Sequence, residues 1–157
     1  MSTPTTCKDR LEQYLREQLI EFQMQHHPLA YTAQEVAASE HVPGKELAKT
    51  VIARTDDRLV MTVLPATRHV QLAKLAAALG TGQARLAEER EFGASFPDCE
   101  VGAMPPFGNL YGVPVYVDRS LTADESIVFR AGTHTDTMRI AYADFARLVG
   151  PTVVDIA

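Results

Sequence analysis

Two runs of β-branched and aliphatic residues, separated by a short polar turn, constrain the fold more than any other feature of the sequence. The runs are residues 47–54 (LAKTVIAR) and 59–65 (LVMTVLP), and the turn is residues 55–58 (TDDR). Val, Ile and Thr favour extended strands, and a link this short can join only antiparallel neighbours. The pattern predicts a β-hairpin with Lys49 near the start of its first strand.

Helices and strands are interleaved along the rest of the chain. Apolar residues at three- and four-residue steps predict an amphipathic helix over residues 8–25, and a capping box begun by Thr32 predicts a helix that stops at Pro43-Gly44. Further helices are predicted at 67–80 and 142–150, and further strands at 112–118, 126–132, 137–141 and 153–157. Short links between several strands predict an α+β fold, with a mixed, largely antiparallel curved sheet flanked by helices.

Length and charge indicate a single domain that does not bind nucleic acid mainly through its phosphates. The chain has 157 residues, enough for one sizeable core, and shows no internal repeat. We expect residues 1–26 to form an N-terminal helix packed on a domain of residues 27–157. A net charge of −5 argues against a strongly basic binding face, although contact with a nucleic-acid end is compatible with it.

The cysteine pattern predicts free thiols in a cytoplasmic protein. The two cysteines, Cys7 and Cys99, occur without a signal peptide or a membrane-length apolar run, so we expect no disulfide and no membrane partner. Cys99 fits a small buried thiol better than a nucleophile, because nothing near it in sequence would lower its pKa. Neither a HExxH nor a CxxC spacing occurs, and we expect no metal.

Several polar residues have both a structural and a functional interpretation. Lys49 could hold its ammonium group in water at a sheet end, or direct it into a pocket to hold a phosphate or hydroxyl. His134 could stabilise a turn or line a pocket. Asp118 ends a predicted strand and suits a cap for the next turn.

A loop rich in glycine and proline, residues 101–108 (VGAMPPFG), is the other unusual segment. Proline fixes φ and lacks an N–H group, whereas glycine reaches positive φ and allows close approach of another molecule to the backbone. Such a loop is either a turn or a binding surface.

Together, these segments resemble the YbaK/EbsC-like family, which includes the editing insertion of bacterial prolyl-tRNA synthetases and its free-standing relatives. The resemblance runs from about His27 to about Val149. It rests on the order of five segments: residues 32–54 (TAQEVAASEHVPGKELAKTVIAR), 59–80 (LVMTVLPATRHVQLAKLAAALG), 101–108 (VGAMPPFG), 115–121 (VYVDRSL) and 130–134 (RAGTH).

The resemblance implies hydrolysis of the ester between a wrong amino acid and tRNA, without a metal or cofactor. It implies that Lys49 faces the active site and that the loop from Gly102 to Pro106 offers backbone amides to the substrate, while a terminal ribose hydroxyl of the tRNA helps to activate water. The implied catalytic residues are Lys49, Gly102 and Pro106. The expected substrate contacts are Tyr31, Thr32, Met104, Pro105, Phe107, Gly108, Asp118, Gly132, Thr133 and His134.

The sequence departs from the family pattern around the expected amino-acid pocket. Pro105 stands where many relatives have a serine or another small residue, Arg130 stands where a small polar residue is common, and His134 does not match the specificity-setting histidine of some members. Substrate identity is therefore the property that the resemblance transfers least.

The leading hypothesis is a free-standing deacylase for the acceptor end of mischarged tRNA, such as tRNA-Pro carrying alanine, cysteine, serine or threonine. An aminoacyl-tRNA synthetase or an elongation factor is a further candidate partner. Two alternatives fit the same residues: a non-catalytic module that binds tRNA ends, nucleotides or a protein, and an esterase that acts on substrates other than tRNA.

Overall fold

A computed structural model describes residues 6–26 and 46–157. Within them, four α-helices and eight strands alternate with short 3-10 turns. The helices are α1 (Cys7–Glu17), α2 (Leu72–Leu79), α3 (Glu89–Phe92) and α4 (Tyr142–Val149). The strands are β1 (Gln23–His26), β2 (Ala48–Thr55), β3 (Leu59–Pro65), β4 (Ala84–Leu86), β5 (Val115–Asp118), β6 (Ser126–Arg130), β7 (Asp136–Ala141) and β8 (Thr152–Val154).

The strands form two open sheets, with antiparallel pairs outnumbering parallel ones. One sheet has the order β4-β2-β3-β5-β8 and the other β1-β7-β6. The hairpin of β2 and β3 is antiparallel, whereas β5 pairs parallel to both β3 and β8. A single parallel bridge between Leu47 and Val128 joins the start of β2 to β6. The predicted mixed, largely antiparallel α+β fold is confirmed.

The core lies between the sheets and the helices that cover them. Phe107 is fully buried and contacts the rings of Phe129 and Phe145 at centroid distances of 5.6 and 5.9 Å. Leu11 and Leu15 place one face of α1 in the same cluster. The α1 helix is therefore part of the main core, which agrees with the amphipathic pattern of its sequence.

The first helix is shorter than the sequence predicts, because a tertiary strand pairing replaces its second half. Leu19 adopts the left-handed conformation, with φ at 59°, and the Ile20 N–H donates to the Leu15 carbonyl, which closes α1. The chain then extends into β1, where Met24 pairs with Met138 of β7. The prediction of helix through residue 25 is thus wrong after α1.

The expectation of free thiols is also wrong. Cys7 and Cys99 form a disulfide between α1 and the segment before the glycine-proline loop, with their Cα atoms 5.0 Å apart. The Tyr111 hydroxyl donates to the Cys7 sulfur at 3.2 Å and lies 3.4 Å from the Cys99 sulfur. Because 92 positions separate the cysteines, only the tertiary fold brings them together.

Candidate functional site

A small pocket opens where the two sheets meet. Its lining residues come from the start of β2, from the glycine-proline loop and from the end of β6. They are Leu47, Ala48, Lys49, Thr50, Gly102, Met104 and Arg130. The pocket therefore brings together three residues that the sequence singled out, Lys49, Gly102 and Met104.

Lys49 supplies a partly buried cation to this pocket. It lies in β2 opposite Leu64 of β3, so the hairpin register fixes its position. Burial lowers the pKa of the Lys49 ammonium group. In the described part of the chain, no carboxylate forms an ion pair with it.

The loop of residues 101–108 is exposed at one end and built into the core at the other. Val101 and Gly102 are exposed, whereas residues 103–108 are buried. Gly108 is packed so closely that a Cβ atom there would lie 2.7 Å from Cγ2 of Val115. Phe107 and Gly108 therefore serve the core, and of the loop residues only Gly102 and Met104 line the pocket.

Only three residues between Gly102 and Pro106 have a backbone N–H group, since Pro105 and Pro106 have none. The Ala103 N–H donates to the Glu100 carbonyl at 3.0 Å. Within residues 6–26 and 46–157, the amides of Gly102 and Met104 make no hydrogen bond. Both amides belong to residues that line the pocket.

The turn between β6 and β7 holds this loop in place. The Glu100 N–H donates to the Gly132 carbonyl, and the Gly132 N–H donates to the Ala103 carbonyl, both at 2.9 Å. The His134 N–H donates to Oε2 of Glu100 at 2.8 Å. Thr133 donates instead to Oδ2 of Asp136 at 2.7 Å. These predicted site residues contact the loop or the turn itself, and they do not line the pocket.

Position 132 requires a glycine because the amino end of α1 lies very close to it. Its φ is +98°, and a Cβ atom there would lie 2.8 Å from the Cys7 sulfur and 3.1 Å from the Lys8 nitrogen. The glycine thus lets the amino end of α1 reach the turn that holds the loop. Its role in the structure is packing against the disulfide.

Asp118 lies outside the pocket and caps backbone amides. One carboxylate oxygen accepts the N–H groups of Ile156 and Ala157, each at 3.0 Å, and the other accepts from Ser120. Burial by itself would raise the pKa of Asp118, but these hydrogen bonds outweigh it and hold the pKa below the ordinary aspartate value. Asp118 therefore has the capping role that its place in the sequence favoured.

We expect Asp118→Asn to destabilise the protein by about 1–3 kcal/mol at neutral pH, because it weakens these charge-assisted hydrogen bonds. A carboxyl with a lowered pKa stabilises the fold above roughly pH 4, and this contribution is lost as the pH falls through its folded-state pKa. Urea unfolding between pH 2 and pH 7 checks this. The variant should lose part of the acid dependence, and identical profiles for variant and parent would contradict the assignment.

Two further residues line the pocket: Thr50, which sequence reasoning missed, and Arg130, which it placed near the expected amino-acid pocket. Arg130 donates from Nη1 to the Gly102 carbonyl at 3.3 Å. The sequence flagged Arg130 only as a departure from the family pattern, and Thr50 only as the neighbour of Lys49. Tyr31, Thr32 and the helix predicted after Thr32 lie outside the described residues.

Comparison with solved structures shows that the fold is shared over almost the whole chain. A scaffold protein used in computational grafting of linear epitopes superposes with a TM-score of 0.84 and 20% identity, covering 97% of both chains. A hypothetical protein superposes with a TM-score of 0.84 and 19% identity, and the match covers 94% of this chain and 98% of that chain. A candidate trans-editing enzyme for prolyl-tRNA synthetase superposes with a TM-score of 0.82 and 18% identity, and the match covers 98% of both chains. At these identities the likeness establishes the fold.

The family follows from the sequence comparison. A sequence model of the aminoacyl-tRNA editing domain matches residues 27–148. The chain belongs to the aminoacyl-tRNA editing domain family, as the resemblance predicted. A comparison with curated protein sequences finds no significant match. None of the helices in the described residues has the length and apolar character needed to span a bilayer.

Proposed function

We propose that this editing domain is a deacylase that hydrolyses, in trans, the ester linking a small wrong amino acid to the acceptor end of tRNA. The observation that carries the proposal is the pocket that Lys49, Gly102 and Met104 line together. Membership of the editing family supports the reaction class.

The two available amides suit the chemistry of ester hydrolysis. Attack of water on the ester carbonyl places negative charge on its oxygen, and preorganised N–H donors stabilise that charge in the transition state. Gly102 and Met104 supply such donors at one edge of the pocket. The proposal does not require a side-chain nucleophile, because the terminal ribose hydroxyl of the tRNA assists the attacking water.

Lys49 is proposed to position the acceptor end. Its ammonium group is a compact point charge that can hold a phosphate or a ribose hydroxyl of the terminal adenosine. Fixing the ester near the amide donors converts a random encounter into an oriented reaction, which contributes several kcal/mol to the rate. Partial burial strengthens the interaction with an anion, because less water competes for the charge than at a fully exposed site.

The lining of the pocket favours a small amino-acid side chain. Leu47, Ala48 and Met104 form an apolar wall, and all three are buried. Alanine, cysteine, serine and threonine, which have short side chains, are the proposed amino acids. Proline-specific tRNA is the proposed carrier, because one protein of similar structure is described as a candidate trans-editing enzyme for prolyl-tRNA synthetase.

A panel of tRNAs mischarged with alanine, cysteine, serine and threonine, incubated with excess protein, tests the proposal. Loss of the ester from one or more of them, with correctly charged tRNA-Pro left intact, is the expected result. Ester loss from none of them would refute the deacylase. Tight binding of tRNA without turnover would favour the non-catalytic binding module. Cleavage of small aminoacyl esters as efficient as that of mischarged tRNA would favour the esterase that acts on other substrates.

Gly102→Ala should reduce deacylation by about tenfold or more. With φ at +82°, an alanine is strained there, and relief of that strain would rotate the amides on either side. Single-turnover kinetics on the preferred substrate measure the loss. Gly80→Ala is the matched control, since Gly80 also has a positive φ, +69°, but caps α2 away from the pocket. Both variants should lose similar stability, and a fully active Gly102→Ala would count against the loop.

A further inference from the structure

Three consecutive carbonyl groups of the glycine-proline loop are held by the end of β6 and the turn that follows it. The Val101 carbonyl accepts from Nε2 of His134 at 2.7 Å, and the Gly102 carbonyl accepts from Nη1 of Arg130 at 3.3 Å. The Ala103 carbonyl accepts from the Gly132 N–H at 2.9 Å. The hydrogen bond from His134 is the shortest of the three.

Holding these carbonyls fixes the direction of the amides across the same peptide bonds. In a trans peptide, the N–H of one residue points opposite to the carbonyl of the residue before it. The Val101 carbonyl therefore sets the direction of the Gly102 N–H, and the Ala103 carbonyl sets that of the Met104 N–H. Neither of these two amides has an acceptor among the described residues, and both belong to residues that line the pocket.

We propose that His134 is a positioning residue of the editing reaction: by holding the Val101 carbonyl through Nε2–H, it directs the Gly102 N–H toward the ester. The inference rests on the proposed deacylase function and deepens it. It differs from the sequence-based expectation, in which His134 contacts the substrate. The imidazole acts through the peptide group and does not touch the reacting atoms.

The surroundings of His134 suit this role, because its own backbone is anchored to the loop that it holds. The His134 N–H donates to Oε2 of Glu100, and the Glu100 N–H donates to the Gly132 carbonyl. The imidazole also lies close to the loop, since a Cβ built on Gly102 would be 3.5 Å from Cε1 of His134. A hydrogen bond to a carbonyl polarises its peptide group, which makes the adjoining N–H a better donor.

Two substitutions separate the hydrogen bond from the shape of the ring. His134→Phe keeps a planar ring beside Gly102 but removes the donor, whereas His134→Gln places an amide donor near the Nε2 position. We expect His134→Phe to lower kcat for the preferred mischarged tRNA by about 10- to 100-fold, with KM changed less than about threefold. His134→Gln should recover most of the loss. His69→Phe, at an exposed histidine away from the pocket, is the control and should match the parent.

Amide resonances of ¹⁵N-labelled protein give a readout independent of activity. The Gly102 amide should shift and exchange faster with solvent in His134→Phe, and should stay near its parent position in His134→Gln. If the parent protein deacylates no tRNA, the proposed function fails while this measurement still tests the orientation of the loop. An unchanged Gly102 resonance in His134→Phe would overturn the inference.

The kinetic outcomes are equally decisive. A rise in KM with kcat unchanged would mean that His134 contacts the substrate, and full activity of His134→Phe would mean that the hydrogen bond is dispensable. Either result overturns the positioning role. If His134→Phe fails to fold, His134→Gln is compared with His134→Asn, whose amide lies near the Nδ1 position. Glutamine should then be the more active variant, and equal activities would refute the inference.

Discussion

Replacing Lys49 with alanine is expected to reduce deacylation of mischarged tRNA by about 100-fold or more while the fold survives. Of the predicted catalytic residues, Lys49 is the one whose side chain lines the pocket. Its ammonium group has no carboxylate partner in the described ranges. Its strand is held by backbone pairing to β3, which alanine retains. Single-turnover kinetics measure the loss, and thermal unfolding checks the fold.

Two companion variants sharpen this test. Lys74→Ala removes an exposed lysine from α2, whose ammonium group donates to the Ala157 carbonyl at 2.9 Å, and should leave turnover unchanged. Lys49→Met keeps the length of the side chain without the charge. Because burial lowers the pKa of Lys49, keeping the ammonium group charged in the folded protein costs free energy. The methionine variant should therefore be at least as stable as the parent. It should be as inactive as the alanine variant. Retained turnover in Lys49→Ala would refute the role of the cation in deacylation, and a collapse of the melting temperature would show that the cation is structural.

Loss of the disulfide between Cys7 and Cys99 should lower the free energy of unfolding by roughly 4 kcal/mol. The bond closes a loop that spans 92 positions, so it removes much of the conformational freedom of the unfolded chain. It also tethers α1 to the residues that lead into the glycine-proline loop. Guanidinium unfolding of the oxidised and dithiothreitol-reduced protein measures the difference.

The double variant Cys7→Ser, Cys99→Ser separates this effect from other actions of the reductant. It should match the reduced parent in stability and should not respond to dithiothreitol. Thiol titration of the denatured, unreduced parent should detect no free thiol. Two free thiols in that titration, or equal unfolding midpoints with and without reductant, would contradict the bond.

The sequence predicts the fold well where local pattern and tertiary structure agree. The hairpin of β2 and β3 is an example, since its two runs of β-branched and aliphatic residues and the polar turn between them specify both the strands and their pairing. The helix over residues 8–25 fails for the opposite reason. Its helical periodicity continues past α1, but the helix ends locally at the left-handed Leu19, and the chain then pairs as β1 with β7, whose residues are more than 100 positions away.

The candidate site is only partly predictable for a similar reason. Lys49 and the loop after Val101 are visible from composition and from the family resemblance. The disulfide, the hydrogen bond of Arg130 to the Gly102 carbonyl and the contact of His134 with Val101 each join segments that are distant in sequence. A pattern within one segment shows that a residue is unusual, but it does not show which remote group the residue meets.

The position of the pocket between two sheets has a consequence for folding kinetics. Its walls come from β2, from the loop before β5 and from β6, and the sheets meet there through the bridge of Leu47 and Val128. The parallel pairs of β5 with β3 and β8 close long loops, and such pairings form slowly. Recovery of the proposed deacylase activity during refolding should therefore follow the recovery of secondary structure, so that this activity would report the last step of assembly.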